Sequence, residues 1–228
     1  MWLINSSIGR KVVMSVTGIC LILFLTFHCC MNVVALFSGE GYNWICEMLG
    51  ANWYAVVATM GLALLAALHI FFAFWLTMQN RKARGNERYD VTERRSEVSW
   101  ASQNMLVLGI IILIGLLIHL YDFWYNMMFA ELFPSIYYDA APADGFGKIV
   151  ATFGNPVKVV LYVIWIVAIW FHLSHGFWSA MHTLGWSGKI WQKRWQCIGI
   201  IYVTILMAMF LIVVLAFAFK LAPSLCVA

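Results

Sequence analysis

Long runs of apolar residues alternate with short polar segments along the whole chain. Each run exceeds the ~20 residues that an α-helix needs to cross ~30 Å of hydrocarbon. Apolar residues fill the runs instead of following a stripe of about 3.6 residues, which favours membrane-spanning helices over surface helices. The pattern predicts an all-α integral membrane bundle of five transmembrane helices that forms one domain over residues 1–228. The predicted helices cover roughly residues 12–36, 52–78, 101–129, 157–182 and 196–221.

The composition excludes an ordinary soluble domain. Of the 228 residues, 64% are hydrophobic and only 11% are charged. The formal net charge of +4 is too small to indicate binding of nucleic acid. The six cysteines form neither a C-x-x-C-H nor a C-x-x-C motif. We therefore expect no covalently attached c-type haem and no cysteine-based zinc or iron–sulfur site on this chain.

Basic residues gather in the connections on one side of the predicted membrane. They are Arg10, Lys11, Arg81, Lys82, Arg84, Arg88, Arg94, Arg95, Lys189, Lys193 and Arg194. The connections on the other side carry Glu40, Glu47, Glu131, Asp139 and Asp144. The positive-inside rule therefore predicts a cytoplasmic N-terminus and an external C-terminus. The basic residues either only set this orientation or also dock a cytoplasmic partner.

Four of the six histidines lie inside four separate apolar runs: His28, His69, His119 and His172. A histidine inside a bilayer is costly and usually functional. With a rise of ~1.5 Å per residue, His28 and His119 lie about 24 and 27 Å from the cytoplasmic ends of their helices. His69 and His172 lie at about 15 and 16 Å. The depths predict an outer pair on helices one and three, and an inner pair on helices two and four.

Two pairs of facing imidazoles suit two b-type haems, because a bis-histidine haem needs only two trans ligands. A zinc ion is a poorer fit, since the two levels are too far apart for one ion and each pair lacks four ligands. The alternative is four unrelated histidines, each hydrogen-bonded to a neighbour. His175 shares a helix face with His172 and is its competitor as ligand, or else it bonds a carbonyl or a haem propionate. His182 is expected near the inner interface.

Four short motifs around these histidines resemble the di-haem cytochrome b anchor of succinate:quinone oxidoreductases, the succinate dehydrogenases and fumarate reductases with a single large anchor chain. The motifs are Ser15-x-x-Gly18 before Phe27-His28, Leu68-His69, His119-x-x-Asp122, and Phe171-His172-x-Ser174-x-Gly176-x-Trp178. The resemblance extends from Arg10 into the fifth helix, and the order and spacing of the motifs make it specific. Trp170 departs from the pattern of some di-haem members of this family, which carry a glutamate of a proton path at that position. No such path through a carboxylate is expected here.

The resemblance implies roles for individual residues. His28 and His119 would ligate a distal haem, and His69 and His172 a proximal haem. His172 is preferred to His175 because it follows the phenylalanine of the family motif. Ser15 matches a family position that hydrogen-bonds a haem propionate.

The resemblance also implies a function in a bacterial cytoplasmic membrane. The chain would pass electrons between an iron–sulfur subunit and a quinone, which the di-haem type suggests is menaquinone. The iron–sulfur subunit and a flavoprotein with covalent FAD would dock on the basic cytoplasmic face, and the dicarboxylate chemistry would take place there. The direction of catalysis and a dimer of the whole complex stay open.

Reduction of a quinone takes up two protons, so a titratable group is expected near the quinone. Asp122, one turn beyond His119, is the predicted group for quinone protonation, and its alternative is a solvated helix end. Two other functions stay open. One is the cytochrome b subunit of a hydrogenase or formate dehydrogenase, and the other is a proton-coupled transporter. The transporter is disfavoured because no proline interrupts a predicted span.

Overall fold

A computed structural model describes residues 6–84 and 100–226 of the protein. These residues form helices and no strand. Five helical segments are long and apolar enough to cross a membrane, namely Ser7–Phe37, Trp53–Ala83, Met105–Leu132, Pro156–Thr183 and Lys189–Cys226. The predicted all-α bundle of five spans is therefore confirmed. The orientation of the spans stays a prediction, and Arg88, Arg94 and Arg95 of the basic connection lie outside the described residues.

The helices are, in chain order, α1 (Ser7–Phe37), α2 (Gly39–Met48), α3 (Trp53–Arg84), α4 (Trp100–Gln103), α5 (Met105–His119), α6 (Ala130–Leu132), α7 (Gly145–Phe153), α8 (Pro156–Thr183) and α9 (Lys189–Ala218). A π-helix over Leu120–Phe129 joins α5 to α6, so these three elements form one span. A 3₁₀ turn over Pro223–Cys226 follows α9.

Polar side chains mark where several of these helices begin. The Ser6 hydroxyl caps α1 by accepting from Gly9 N at 2.9 Å. Ser38 ends α1 and caps α2, and Asp144 caps α7. Asn155 caps α8, and Pro156 occupies the first turn, where a missing N–H costs nothing. Such caps satisfy backbone N–H groups that have no partner inside the helix.

The core of the bundle lies between α1, α7, α8 and α9. Cys29 of α1, Ile149 of α7 and Val203 of α9 are the largest fully buried side chains in the described residues. Helices α8 and α9 pack along much of their length, and α1 packs on both. Helix α3 lies at the edge of the bundle, with α1 as its main neighbour and a smaller contact to α5.

Two short helices, α2 and α7, form a cap over the end of the bundle at which α1 finishes. The sequence pattern assigned no element to these connections. The Asn43 amide joins the two helices, since its Nδ2 donates to Asp144 Oδ1 and its Oδ1 accepts from Phe146 N, both at 2.8 Å. Burial raises the pKa of Tyr42 above its usual value and that of the Cys46 thiol to about 11. These groups are therefore neutral near pH 7 and fill the cap as apolar side chains do.

Candidate functional site

The outer pair of histidines faces across α1 and α5. The ring centres of His28 and His119 lie 5.7 Å apart, and the ring planes are nearly perpendicular at 87°. Aromatic side chains enclose both rings. Phe24 stacks on His28 at 5.4 Å, and Phe123 and Trp165 lie 5.1 and 5.4 Å from His119. These aromatic rings provide apolar neighbours for both imidazoles.

The inner pair of histidines faces across α3 and α8. The ring centres of His69 and His172 lie 6.4 Å apart at an interplanar angle of 62°. Gly18 of α1 makes room for this arrangement, because a methyl group there would lie 3.3 Å from His69 Cε1. The spatial pairing that depth predicted is therefore found. Binding of iron by these pairs stays a prediction.

Thr17 fixes the ring of His69. Its Oγ1 lies 3.1 Å from His69 Nδ1 and donates to the Val13 carbonyl at 2.9 Å. Because the hydroxyl hydrogen goes to that carbonyl, we assign the other hydrogen bond as Nδ1–H donating to the threonine oxygen. Nε2 then carries the free lone pair. Metal-binding histidines are usually held in this way, with one nitrogen on a protein acceptor and the other free to ligate.

Both ring separations suit one metal ion between two imidazoles. A metal–imidazole bond is about 2 Å long, so two trans nitrogens lie about 4 Å apart and the ring centres somewhat farther. The observed separations of 5.7 and 6.4 Å fall in that range. Two imidazoles per ion, without further protein ligands, are the donor set of a six-coordinate haem iron. The histidines present therefore fit two such groups.

Three buried imidazole nitrogens lack a hydrogen-bond partner: Nδ1 of His119, of His172 and of His175. An unpaired buried polar atom is costly and calls for an explanation. His175 lies edge-on to Trp178 at 5.0 Å, and no ring contact joins it to His69 in the described residues. The ring opposite His69 is that of His172, as predicted, and His182 is exposed.

Asp122 is buried and paired, so it is not a solvated helix end. Lys158 Nζ lies 2.6 Å from its Oδ1, and the Tyr162 hydroxyl donates to its Oδ2 at 3.1 Å. Sequence reasoning missed Lys158 and Tyr162. Lys158 gave a usable signal, because a cation inside an apolar run calls for a partner. It lies in the first turn of the predicted helix, where a cation needs no special explanation.

No protein-family model matches the chain, and neither does any curated protein or solved structure. The functional interpretation therefore depends on the geometry above and on the motif resemblance.

Two further positions that the sequence analysis names are Ser15 and Trp170. Ser15 is buried on α1, one turn before Gly18, which contacts His69. The Trp170 indole donates to Thr204 Oγ1 at 2.9 Å, so it joins α8 to α9. The donor at this position is thus engaged within the protein.

Proposed function

We propose that this chain is the membrane anchor and electron-transfer subunit of a succinate:quinone oxidoreductase and holds two bis-histidine b haems. The observation that carries the proposal is the facing of four intramembrane imidazoles in two pairs, with ring centres 5.7 and 6.4 Å apart. When bound, the haems would carry single electrons between an iron–sulfur subunit and a quinone, most simply menaquinone. The dicarboxylate chemistry and the FAD belong to the partner subunits.

The residues of the chain would hold and orient these groups. His28 with His119 and His69 with His172 would each ligate one iron. Ser15, buried beside the inner pair, would donate to a propionate, because a charged carboxylate away from water needs donors. His175, one turn from His172, has an unpaired Nδ1 that suits a second such contact.

Asp122 supports a quinone site near the outer pair. An intramembrane carboxylate three residues beyond His119, a proposed iron ligand, would exchange protons with a quinone there. Its bonds to Lys158 and Tyr162 hold the carboxylate in one orientation. The basic connections, with Arg81, Lys82 and Lys189 among the exposed residues, would face the partners from the cytoplasmic side of a bacterial membrane.

Purification in a mild detergent tests the whole proposal. We expect a dithionite-reduced spectrum of low-spin b haem with about two haems per chain. A flavoprotein with covalent FAD and an iron–sulfur protein should co-purify. Co-purification with a hydrogenase or formate dehydrogenase would favour that alternative, and a gently handled protein without haem would overturn the proposal.

Replacing Thr17 with valine should weaken the hold on the inner haem. Valine keeps the shape of the side chain but removes the oxygen that accepts from His69 Nδ1–H. Hydrogen bonds to the second nitrogen of a metal-binding histidine are worth about 10–100-fold in metal affinity. Haem transfer to a scavenger protein should speed up accordingly, measured in a His28→Ala background that retains the inner haem alone.

Thr77→Val is the matched control, because Thr77 Oγ1 donates only within α3, to the Ala73 carbonyl at 2.8 Å. Equal haem transfer from the Thr17→Val and Thr77→Val variants would contradict the role of Thr17.

A further inference from the structure

A partly buried ion pair lies close to the outer histidines. The Asp122 carboxylate and the Lys158 ammonium are 2.6 Å apart, with side-chain exposures of 7% and 30%. The Tyr162 hydroxyl donates to the second carboxylate oxygen at 3.1 Å. The pair joins the π-helix to the first turn of α8.

Such a pair is expensive to keep inside a membrane protein. Removing two charges from water costs several kcal/mol per ion, and an apolar pair of similar volume is often at least as stable. Ionisable groups within membrane spans therefore usually serve a function. A role in stability alone explains the Asp122–Lys158 pair poorly.

The position of the pair indicates what it acts on. Asp122 follows His119 by three residues, which is roughly 5 Å of helix rise. Tyr162, which binds Asp122, has its ring centre 6.2 Å from that of His119. The inner histidines lie about 10 Å deeper by the same rise. The two charges are thus close to the outer imidazoles and distant from the inner ones.

We infer that Asp122 and Lys158 each shift the reduction potential of the haem at the outer histidines, in opposite directions, so that the intact pair balances the two shifts. The inference depends on the proposed function. One electron added to the ferric iron lowers the charge of the site by one, with no bond made or broken. The ammonium favours the added electron and the carboxylate opposes it. The intact pair holds the potential between the two extremes.

Coulomb's law gives the size of the effect. At a separation of roughly 10 Å and an effective dielectric constant of about 20, a unit charge would change the oxidised-to-reduced equilibrium of a redox centre by more than tenfold. Removing either charge alone should therefore have a large effect. Removing both should have a small one, because the two contributions have opposite signs.

Potentiometric titration followed by optical spectroscopy tests the inference on the whole complex. At the wild-type midpoint of the outer haem, Asp122→Asn should raise its reduced-to-oxidised ratio about tenfold, a shift of 59 mV for one electron. Lys158→Gln should lower the ratio by a similar factor. The double variant should lie within about threefold of wild type, and the inner haem should not move. A His69→Ala variant, which retains the outer haem, assigns the two signals.

Two matched controls separate charge from packing. Tyr162→Phe removes a contact to Asp122 without changing any charge, so the ratio should stay within about threefold. Asp139→Asn removes a carboxylate from the Lys148–Asp139 pair, in which the aspartate side chain is 18% exposed against 7% for Asp122, so that solvent screens its charge more. Lys148 lowers the pKa of Asp139 through a hydrogen bond, so this carboxylate is charged in the wild type.

The inference can be tested even if the Lys158→Gln variant does not reach usable levels in the membrane. Asp122→Asn is isosteric, and the Lys158 side chain is 30% exposed, so this variant is expected to fold. The inference would be overturned if Asp122→Asn left the reduction potential of the outer haem unchanged, or if Tyr162→Phe shifted it as much as Asp122→Asn does. It would also be overturned if Asp122→Asn and Lys158→Gln shifted that potential in the same direction. A complex without haem would instead overturn the proposed function.

Discussion

Replacing His172 with alanine is expected to remove one of the two haems and leave the other in place. A bis-histidine iron that loses one of its two protein ligands is no longer held across facing helices. The ring of His172 is the one opposite His69, with a ring separation of 6.4 Å. The haem-to-protein ratio of the purified chain should fall from about two to about one, read from the pyridine haemochrome spectrum.

His175→Ala is the matched control, since it removes the same side chain one turn away on the same helix. His175 contacts Trp178 and not His69, so both haems should remain. Loss of a haem in His175→Ala with full retention in His172→Ala would show that the ligand assignment is wrong. Alanine at His28 or His119 should likewise remove only the outer haem.

Replacing Gly115 with alanine is expected to destabilise the protein strongly for so small a change. A methyl group at Gly115 would overlap the indole of Trp165, which donates to the Ile112 carbonyl at 3.0 Å and lies 5.4 Å from the His119 ring. Overpacking of this kind costs about 1–3 kcal/mol. The Tm in detergent should fall, and the outer haem should be lost before the inner one.

Gly109→Ala provides the comparison, because it is the same substitution on the same helix. A methyl group at Gly109 meets nothing within 4 Å. Alanine also has the better helix propensity by about 1 kcal/mol, so the Tm should stay or rise slightly. Equal Tm values for the two variants would contradict the close approach of α5 to α8.

The five spans and the pairing of the histidines could be predicted because both depend only on position along the membrane normal. Hydrocarbon thickness sets the length of an apolar run, and a fixed rise per residue converts position into depth. Helix ends are less well determined. α9 begins at Lys189 instead of 196, and α1 at Ser7 instead of 12. Polar residues outside the hydrocarbon can continue a helix until a cap or a glycine ends it.

The side-chain contacts depend on how the helices pack against one another and could not be predicted from the sequence. Thr17 lies on α1, and only the packing of α1 on α3 brings it to His69. Lys158 reaches Asp122 because the beginning of the π-helix lies beside the first turn of α8. The π-helix itself has no signature in the sequence, since its i→i+5 bonds depend on the tertiary environment.

The edge position of α3 has a consequence for how the protein is made. This helix packs mainly on α1, and no extensive packing joins it to α8 among the described residues, although His69 and His172 face each other there. A haem ligated by both residues would crosslink α3 to the rest of the bundle. Binding to the assembled state alone stabilises that state by mass action. Haem supply during biogenesis would then decide whether newly inserted chains mature or are degraded by membrane proteases.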